Sequence, residues 1–222
     1  MPASPHQQRT NATEERIREV ALRLFAQKGF PATSIRDIAS EAGLAVSALY
    51  YYVGTKEELL LRIIQETIET LLRSARPIEE MEAPPEQKLA LMVLLHVWFH
   101  GAHSQETQVV NIEYRSLTGE AQQEVLALRD SYESIWRRIV VQGSAEGVFQ
   151  VSMPKLAAIT LIEMGRGIAH WYRPDGRLKL EEICYAHVDW ALGLVRAVRD
   201  NMPCRVSDLA LVEPGRLVLD GE

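Results

Sequence analysis

The sequence predicts an all-α fold of about nine helices, on three observations. Apolar residues recur at helical spacing through most of the 222 residues. No alternating strand pattern appears before the tail. Residues 34–56, SIRDIASEAGLAVSALYYYVGTK, read as two short helices joined by a glycine turn.

Taking the elements in order, residues 1–12 are polar and expected to be disordered, and residues 13–28 form an amphipathic helix that ends at Gly29-Phe30. Ser34 can cap the next helix, because its hydroxyl accepts an orphan backbone N–H and Asp37 favours the positive end of the helix dipole. Ile35, Ile38, Ala39 and Ala42 give that helix one apolar face. Gly43 then turns the chain cheaply through left-handed backbone angles. The second short helix, residues 46–53, is barely two turns long and needs a scaffold to persist in water. It is therefore used for its exposed face, which carries Ser47, Tyr50 and Tyr51, with Tyr52 and Lys56 beyond. Three successive tyrosines project about a hundred degrees apart and cannot all enter one core. Hydroxyls and a cation at this spacing suit phosphates and base edges, whereas an ordinary helical corner would bury the rings.

Thr55 with Glu58 makes a second capping box, and Leu59, Leu60, Ile63, Ile64, Ile68, Leu71 and Leu72 form the stripe of a long helix leaving this region. Three prolines and three glutamates in residues 76–85 predict a break. Further helices are expected near 86–102, 106–116, 119–146, 154–172 and 180–200. Residues 89–99 are apolar nearly all round, as a buried central helix would be. The tail, 201–222, contains Leu-Ala-Leu-Val, a Glu-Pro-Gly-Arg turn and Leu-Val-Leu, which suggests a small hairpin over 209–219.

The chain carries 24 Lys+Arg against 30 Asp+Glu, a formal charge of −6. Residues 1–60 hold seven basic and seven acidic side chains, so the excess lies beyond them. Any DNA affinity must then come from the placement of a few cations rather than from bulk charge. The polar N-terminus is unlike a signal peptide, and no apolar run approaches the roughly 18 residues of a membrane span, so a cytoplasmic protein is expected. Two late cysteines, Cys184 and Cys204, fit a reduced compartment.

The order of these features resembles the N-terminal domain of the TetR family of bacterial transcriptional repressors. It runs from the first helix through Thr33-Ser34, Arg36-Asp37-Ile38-Ala39, Ala42-Gly43-Leu44 and Leu49-Tyr50-Tyr51-Tyr52-Val53 to Lys56-Glu57-Glu58-Leu59. The resemblance implies a three-helix helix-turn-helix DNA-binding domain, here residues 13–58. A helical ligand-binding and dimerisation domain follows, here residues 59–200. It further implies a homodimer on palindromic double-stranded DNA, released by a small-molecule inducer. Position by position it makes Arg36, Val46, Ser47 and Tyr51 readers of base edges, and Thr33, Ser34, Tyr50, Tyr52 and Lys56 phosphate contacts. Two positions depart from the family pattern: Ala45 stands where a capping Ser or Thr is usual, and Tyr51-Tyr52-Val53 replaces an aromatic-His-Phe ending. With the neutral charge, Ala45 leaves a second reading, a helical ligand-binding or scaffold protein that no longer reads DNA.

In the second domain Trp98 and Phe99 either line a cavity or fill the core. His96, His100 and His103 share a spacing that could hold a metal, without a compact set of further ligands, so none is expected. Gly165 and Gly167 inside a helix imply a close approach by a ligand or a partner helix. Segments around Glu113-Tyr114-Arg115, residues 129–133 and residues 171–174 are similar to a branch of the family that responds to acyl-CoA thioesters. That implies a long apolar pocket with Arg115 or Arg166 near the CoA phosphates, and Tyr114, Tyr132, Trp136, Met164 and His170 as further lining residues. Alternatively those arginines pair with Glu113, Glu133 or Glu163. In the last long helix Ile183, His187, Trp190, Leu194 and Val198 make one stripe, read as half of a dimer interface or as core. No nucleophile elbow, phosphate loop or buried carboxylate pair is present, so no enzymatic activity and no cofactor are expected.

Overall fold

The computed structural model describes the backbone of residues 5–219 and the side chains of residues 10–219. Helix α1 runs Pro5–Lys28. Residues 5–12, expected to be disordered, are thus its first two turns, and residues 1–4 lie outside the described part. Helices α2 (Ile35–Glu41) and α3 (Val46–Val53) follow. Both are too short to persist alone, and each is held by a few buried side chains: Ile38 and Ala39 in α2, Leu49 and Val53 in α3. Burying each of the large ones contributes about 1.5–3 kcal/mol. The Ser34–Asp37 capping box forms as its spacing predicts, whereas Ala45 leaves α3 without a side-chain cap.

The end of α3 is secured instead from α4 (Lys56–Glu80), where the Arg62 guanidinium donates to the Tyr52 and Val53 carbonyls, both at 3.3 Å. Gly54 turns the chain between them at φ +66°, tight against the Glu58 carboxylate of the second capping box. Helix α4 passes through Pro77, so the expected break shrinks to residues 81–84. Ser74, Ala75 and Ile78 extend its buried face, and that packing outweighs the hydrogen bond lost at proline.

Helices α5 (Pro85–Ala102), α6 (Ser104–Glu113), α7 (Gly119–Ala145), α8 (Pro154–Arg166), the single turn α9 (Ile168–Trp171) and α10 (Leu180–Leu194) complete the second domain. Among the described residues this makes ten helical segments, nine of them longer than one turn. Helix α5 is central, as its all-round apolar surface predicts: it packs on α4, α6, α7, α8 and α10. One contiguous apolar core runs from Ile17 in α1 to Leu192 in α10. Helix α1 also packs directly on α6, which joins the two domains.

The last helix stops at Leu194, short of the expected 200. Beyond it Val198–Arg199 pairs antiparallel with Met202–Pro203 around Asp200 and Asn201, both at positive φ. The hairpin expected at 209–219 is absent from that segment, which forms a turn at Pro214–Leu217 and straps over α5. Pro214 cannot donate to a strand ladder, and α5 offers its leucines a surface to cover. Gln87 holds the strap through both atoms of its amide at Ala210, and the Leu219 amide donates to Ser74 Oγ at 2.8 Å.

Gly165, in α8, and Gly167, just past its end, separate in role. A Cβ on Gly165 would lie 2.4 Å from His96 Cδ2, so the close approach is made by α5, while Gly167 faces open space. Gly165→Ala should therefore cost about 1–3 kcal/mol in urea denaturation through overpacking. Gly167→Ala should be neutral or gain about 0.5–1 kcal/mol.

Candidate functional site

Two regions gather the side chains that carry chemistry. The first is the outward face of α2 and α3. Tyr51 is 82% exposed and Tyr50 51% exposed, with Val46, Ser47, Arg36 and Ser34 also at the surface. Tyr51 meets Tyr52 edge to face at 5.2 Å, and Tyr52 is half-buried against the core. Ser34 keeps its hydroxyl on Asp37, which lowers the Asp37 pKa.

Thr33 and Lys56 stand apart from this exposed set. Thr33 is buried, its hydroxyl donating to the Gly29 carbonyl at 2.9 Å. The Lys56 ammonium reaches inward to the carbonyls of Phe30 and Thr33 at 2.9 and 2.8 Å and sits 4.1 Å from the Phe30 ring centre. Both side chains are thus used to fix the loop between α1 and α2, a role that polarity in a sequence does not distinguish from phosphate binding.

The same loop is also hydrogen-bonded to the end of α6. The backbone amide of Phe30 donates to Glu113 Oε1 at 3.0 Å, and Ser116 Oγ donates to the other carboxylate oxygen at 3.0 Å. Glu113 is buried at the end of α6.

The second region is a cavity of about 190 Å³ enclosed by α4, α5, α6, α7 and α8. Its walls include Ile68, Leu71, Val110 and Ile162, but also His96, His100, Thr107 and Tyr132. It is shorter and more polar than the long apolar pocket expected. Asn111, Arg129, Glu163 and Arg166 belong both to this cavity and to an open crevice beside it, lined further by Tyr114, Arg115 and His170. In the crevice two guanidiniums lie over the Tyr114 ring, Arg129 at 4.4 Å and Arg115 at 5.4 Å from its centre. Arg115 Nε also donates to the Tyr114 hydroxyl at 3.2 Å and draws its pKa down. Arg166 pairs with Glu163, but among the described residues no carboxylate comes within ion-pair distance of Arg115 or Arg129. Burial, then the neighbouring Arg166 charge, pushes the Arg129 pKa down. The crevice is short of negative charge.

Of the expected lining residues, Tyr132 and Arg166 reach the cavity, and Tyr114, Arg115 and His170 reach the crevice. Trp136 lies one layer behind, fully buried against His96 and Tyr132. Phe99 is buried beside His103, Trp98 faces the tail at Gly215, and Met164 packs on the core. Asn111 was not singled out in the sequence, Arg129 only as part of a similar segment, His100 only as a possible metal ligand and Glu113 only as a possible partner for an arginine.

Comparison with known proteins settles the class. A family model described as "Bacterial regulatory proteins, tetR family" matches residues 17–63, and one described as "Tetracyclin repressor-like, C-terminal domain" matches residues 82–195. The chain belongs to the TetR family. It is 30% identical to the TetR-family regulator PfmR of Thermus thermophilus, covering 83% of this chain and 99% of that one with a TM-score of 0.73. The structure of AibR in complex with isovaleryl coenzyme A and operator DNA is 25% identical, with a TM-score of 0.74 over 80% of this chain and 97% of the other. The transcriptional repressor KstR2 of Mycobacterium tuberculosis is 24% identical over 185 residues, 82% of this chain and 92% of the relative. As a TetR-family member the protein is a ligand-responsive, DNA-binding transcriptional repressor that works as a homodimer.

The stripe expected to make the dimer divides. Ile183 and His187 are buried, the His187 ring donating to the Ile183 carbonyl, and Val198 falls beyond the helix. Trp190, 58% exposed, and half-buried Leu194 remain at the surface. Leu156 and Ile159 of α8 are exposed as well. The residues of α10 were grouped on one face by spacing, but the helix is packed on two sides.

No helix among the described residues is long and apolar enough to cross a membrane, and none of their His, Cys, Asp and Glu side chains form a group of three or more that could hold a metal. The cavity histidines are engaged otherwise. His96 Nε2 meets the Ile162 carbonyl at 3.0 Å and its Nδ1 the Tyr132 hydroxyl at 3.1 Å, while His100 Nδ1 meets the His96 carbonyl at 2.8 Å. Burial pushes the pKa of His96 well down and that of His100 to about 4. An unfolded histidine titrates near 6.5, so from about pH 6.5 down to about 4 the unfolded chain binds protons that the folded chain refuses. Stability in urea should therefore fall as pH drops through that window, and His100→Gln should shrink the fall.

Proposed function

We propose that this repressor is released from its operator by an acyl-CoA thioester, the phosphates lying in the arginine crevice and the acyl group in the adjoining cavity. The observation that carries this is the crevice itself: Arg115 and Arg129 lie over Tyr114 without a carboxylate partner, directly at the cavity mouth. Guanidiniums bind phosphate oxygens through paired N–H donors. The related AibR was crystallised with isovaleryl coenzyme A and operator DNA.

The DNA side follows from α2 and α3. Arg36, Val46, Ser47 and Tyr51 read base edges, and Ser34, Tyr50 and Tyr52 meet phosphates, on a palindromic operator matched to the two-fold axis of the dimer. Lys56 and Thr33 serve by holding the loop. The dimer face is the exposed surface of α8 and α10, centred on Leu156, Ile159, Trp190 and Leu194, in the manner of a four-helix interface. The protein acts in the cytoplasm and is not an enzyme.

Ligand would act through two helices that line the cavity and also reach the DNA-binding domain. Helix α4 contributes Thr67, Ile68 and Leu71 to the wall and begins at the cap of Thr55. Helix α6 contributes Thr107, Val110 and Asn111 and ends at Glu113 on the Phe30 amide. A shift of either changes the spacing of two recognition helices that must meet half-sites about one DNA turn apart.

A gel-shift and footprint on the DNA upstream of its own gene tests the reading, with a symmetric protected site as the expected result. Arg36→Ala and Tyr51→Ala should each weaken that binding about tenfold or more, with the dimer unchanged in sedimentation. Unaltered binding by both variants would count against the assignment of this face.

A further inference from the structure

The cavity holds unmet hydrogen-bonding capacity at two places. His96 is satisfied at both ring nitrogens, by the Ile162 carbonyl and the Tyr132 hydroxyl. His100, its neighbour at 4.1 Å between ring centres, is not. Its Nδ1 faces the His96 carbonyl at 2.8 Å and must carry the hydrogen that bonds there. In the neutral ring this leaves Nε2 as an acceptor, with no protein donor among the described residues. Neutrality is imposed by burial and by the nearby Arg166 and Arg129 charges. Asn111, which lies where cavity and crevice join, has its Nδ2 buried with no hydrogen-bond partner. A buried polar group such as Asn111 Nδ2 is completed by a bound water, an ion or a ligand, and the cavity beside it has room for a ligand.

Size adds a second restriction. A cavity of roughly 150 Å³ holds one benzene molecule, and this one measures about 190 Å³. A short acyl chain fills it, whereas a longer one would have to run out through the opening shared with the crevice and would cover His100 Nε2 without giving it a hydrogen bond.

We propose that the acyl group recognised here is a short hydroxyacyl chain of about four to six carbons, its hydroxyl donating to His100 Nε2 and its thioester carbonyl accepting from Asn111 Nδ2. This rests on the acyl-CoA reading above and specifies which thioesters release the repressor. A site built to hydrogen-bond a hydroxyl discriminates against the analogue lacking it far more strongly than an apolar pocket discriminates by one methylene.

Isothermal titration of the intact dimer with β-hydroxybutyryl-CoA, butyryl-CoA, palmitoyl-CoA and free CoA tests it. The expected order places the hydroxyacyl thioester about tenfold or more ahead of butyryl-CoA, with palmitoyl-CoA weaker still. His100→Phe, which removes the acceptor, is expected to erase the difference between hydroxybutyryl- and butyryl-CoA. Equal or tighter binding of butyryl- or palmitoyl-CoA by the unaltered protein overturns the hydroxyacyl assignment and leaves the acyl-CoA reading standing. If no thioester binds better than free CoA, the acyl-CoA reading falls, and this assignment with it.

Discussion

The hydrogen bond from the Phe30 amide to Glu113 ties a loop of the DNA-binding domain to the end of a helix that lines the cavity, and both residues are buried. A carboxylate in that position must be compensated, since an unpaired buried charge is costly. The Phe30 amide and the Ser116 hydroxyl supply the compensation, one from each domain. Bonds to a charged acceptor are shorter and roughly twice as strong as neutral ones. Separating the domains would break the Phe30 bond and leave Glu113 only its Ser116 partner. The loop it grips is made stiff by Thr33 and Lys56 from within, so a displacement of α6 is passed to α2 and α3 rather than absorbed. On the proposed reading, repression and release share this joint.

Helix α4 supplies the second connection and explains why such short reading helices hold their shape. Its first two turns carry the Thr55–Glu58 cap, the Lys56 ammonium on the loop and the Arg62 guanidinium on the last carbonyls of α3. Farther along, Thr67, Ile68 and Leu71 face the cavity. One helix thus both scaffolds α3 and lines the cavity, and it continues through Pro77 on the strength of its packing. The cations of this region that serve structure are not available to DNA, which sharpens the meaning of the neutral first sixty residues. On the proposed reading, affinity rests on Arg36, the hydroxyl-bearing face of α3 and the doubling of that face in the dimer.

Local signals were legible in the sequence: the capping boxes at Ser34 and Thr55, the turn at Gly43, the missing cap at Ala45 and the all-round apolar character of α5 each reported a structure made within a few residues. Exposure of Tyr50 and Tyr51 followed from helical geometry alone. What failed to show was direction. Lys56 and Thr33 are polar and turn inward, and Trp98 and Phe99 sit on a helix whose apolar surface points every way, so no periodicity says which side meets a cavity. Ile183 and His187 share spacing with Trp190 but face the core. Glu113 and Arg129 take their roles from partners 83 residues away, in the case of Glu113, or on neighbouring helices, in the case of Arg129. The tail folded onto α5 because a surface was there, which its own leucines could not announce.

The joint at Glu113 is tested most directly by operator affinity, measured by fluorescence anisotropy without ligand for the unaltered protein, Glu113→Ala and Glu113→Gln. Glutamine keeps an acceptor for the Phe30 amide and alanine does not. The account predicts that Glu113→Ala binds operator about tenfold or more weakly while remaining a folded dimer, and that Glu113→Gln stays close to the unaltered protein. Operator binding by Glu113→Ala within about twofold of the unaltered protein would contradict it.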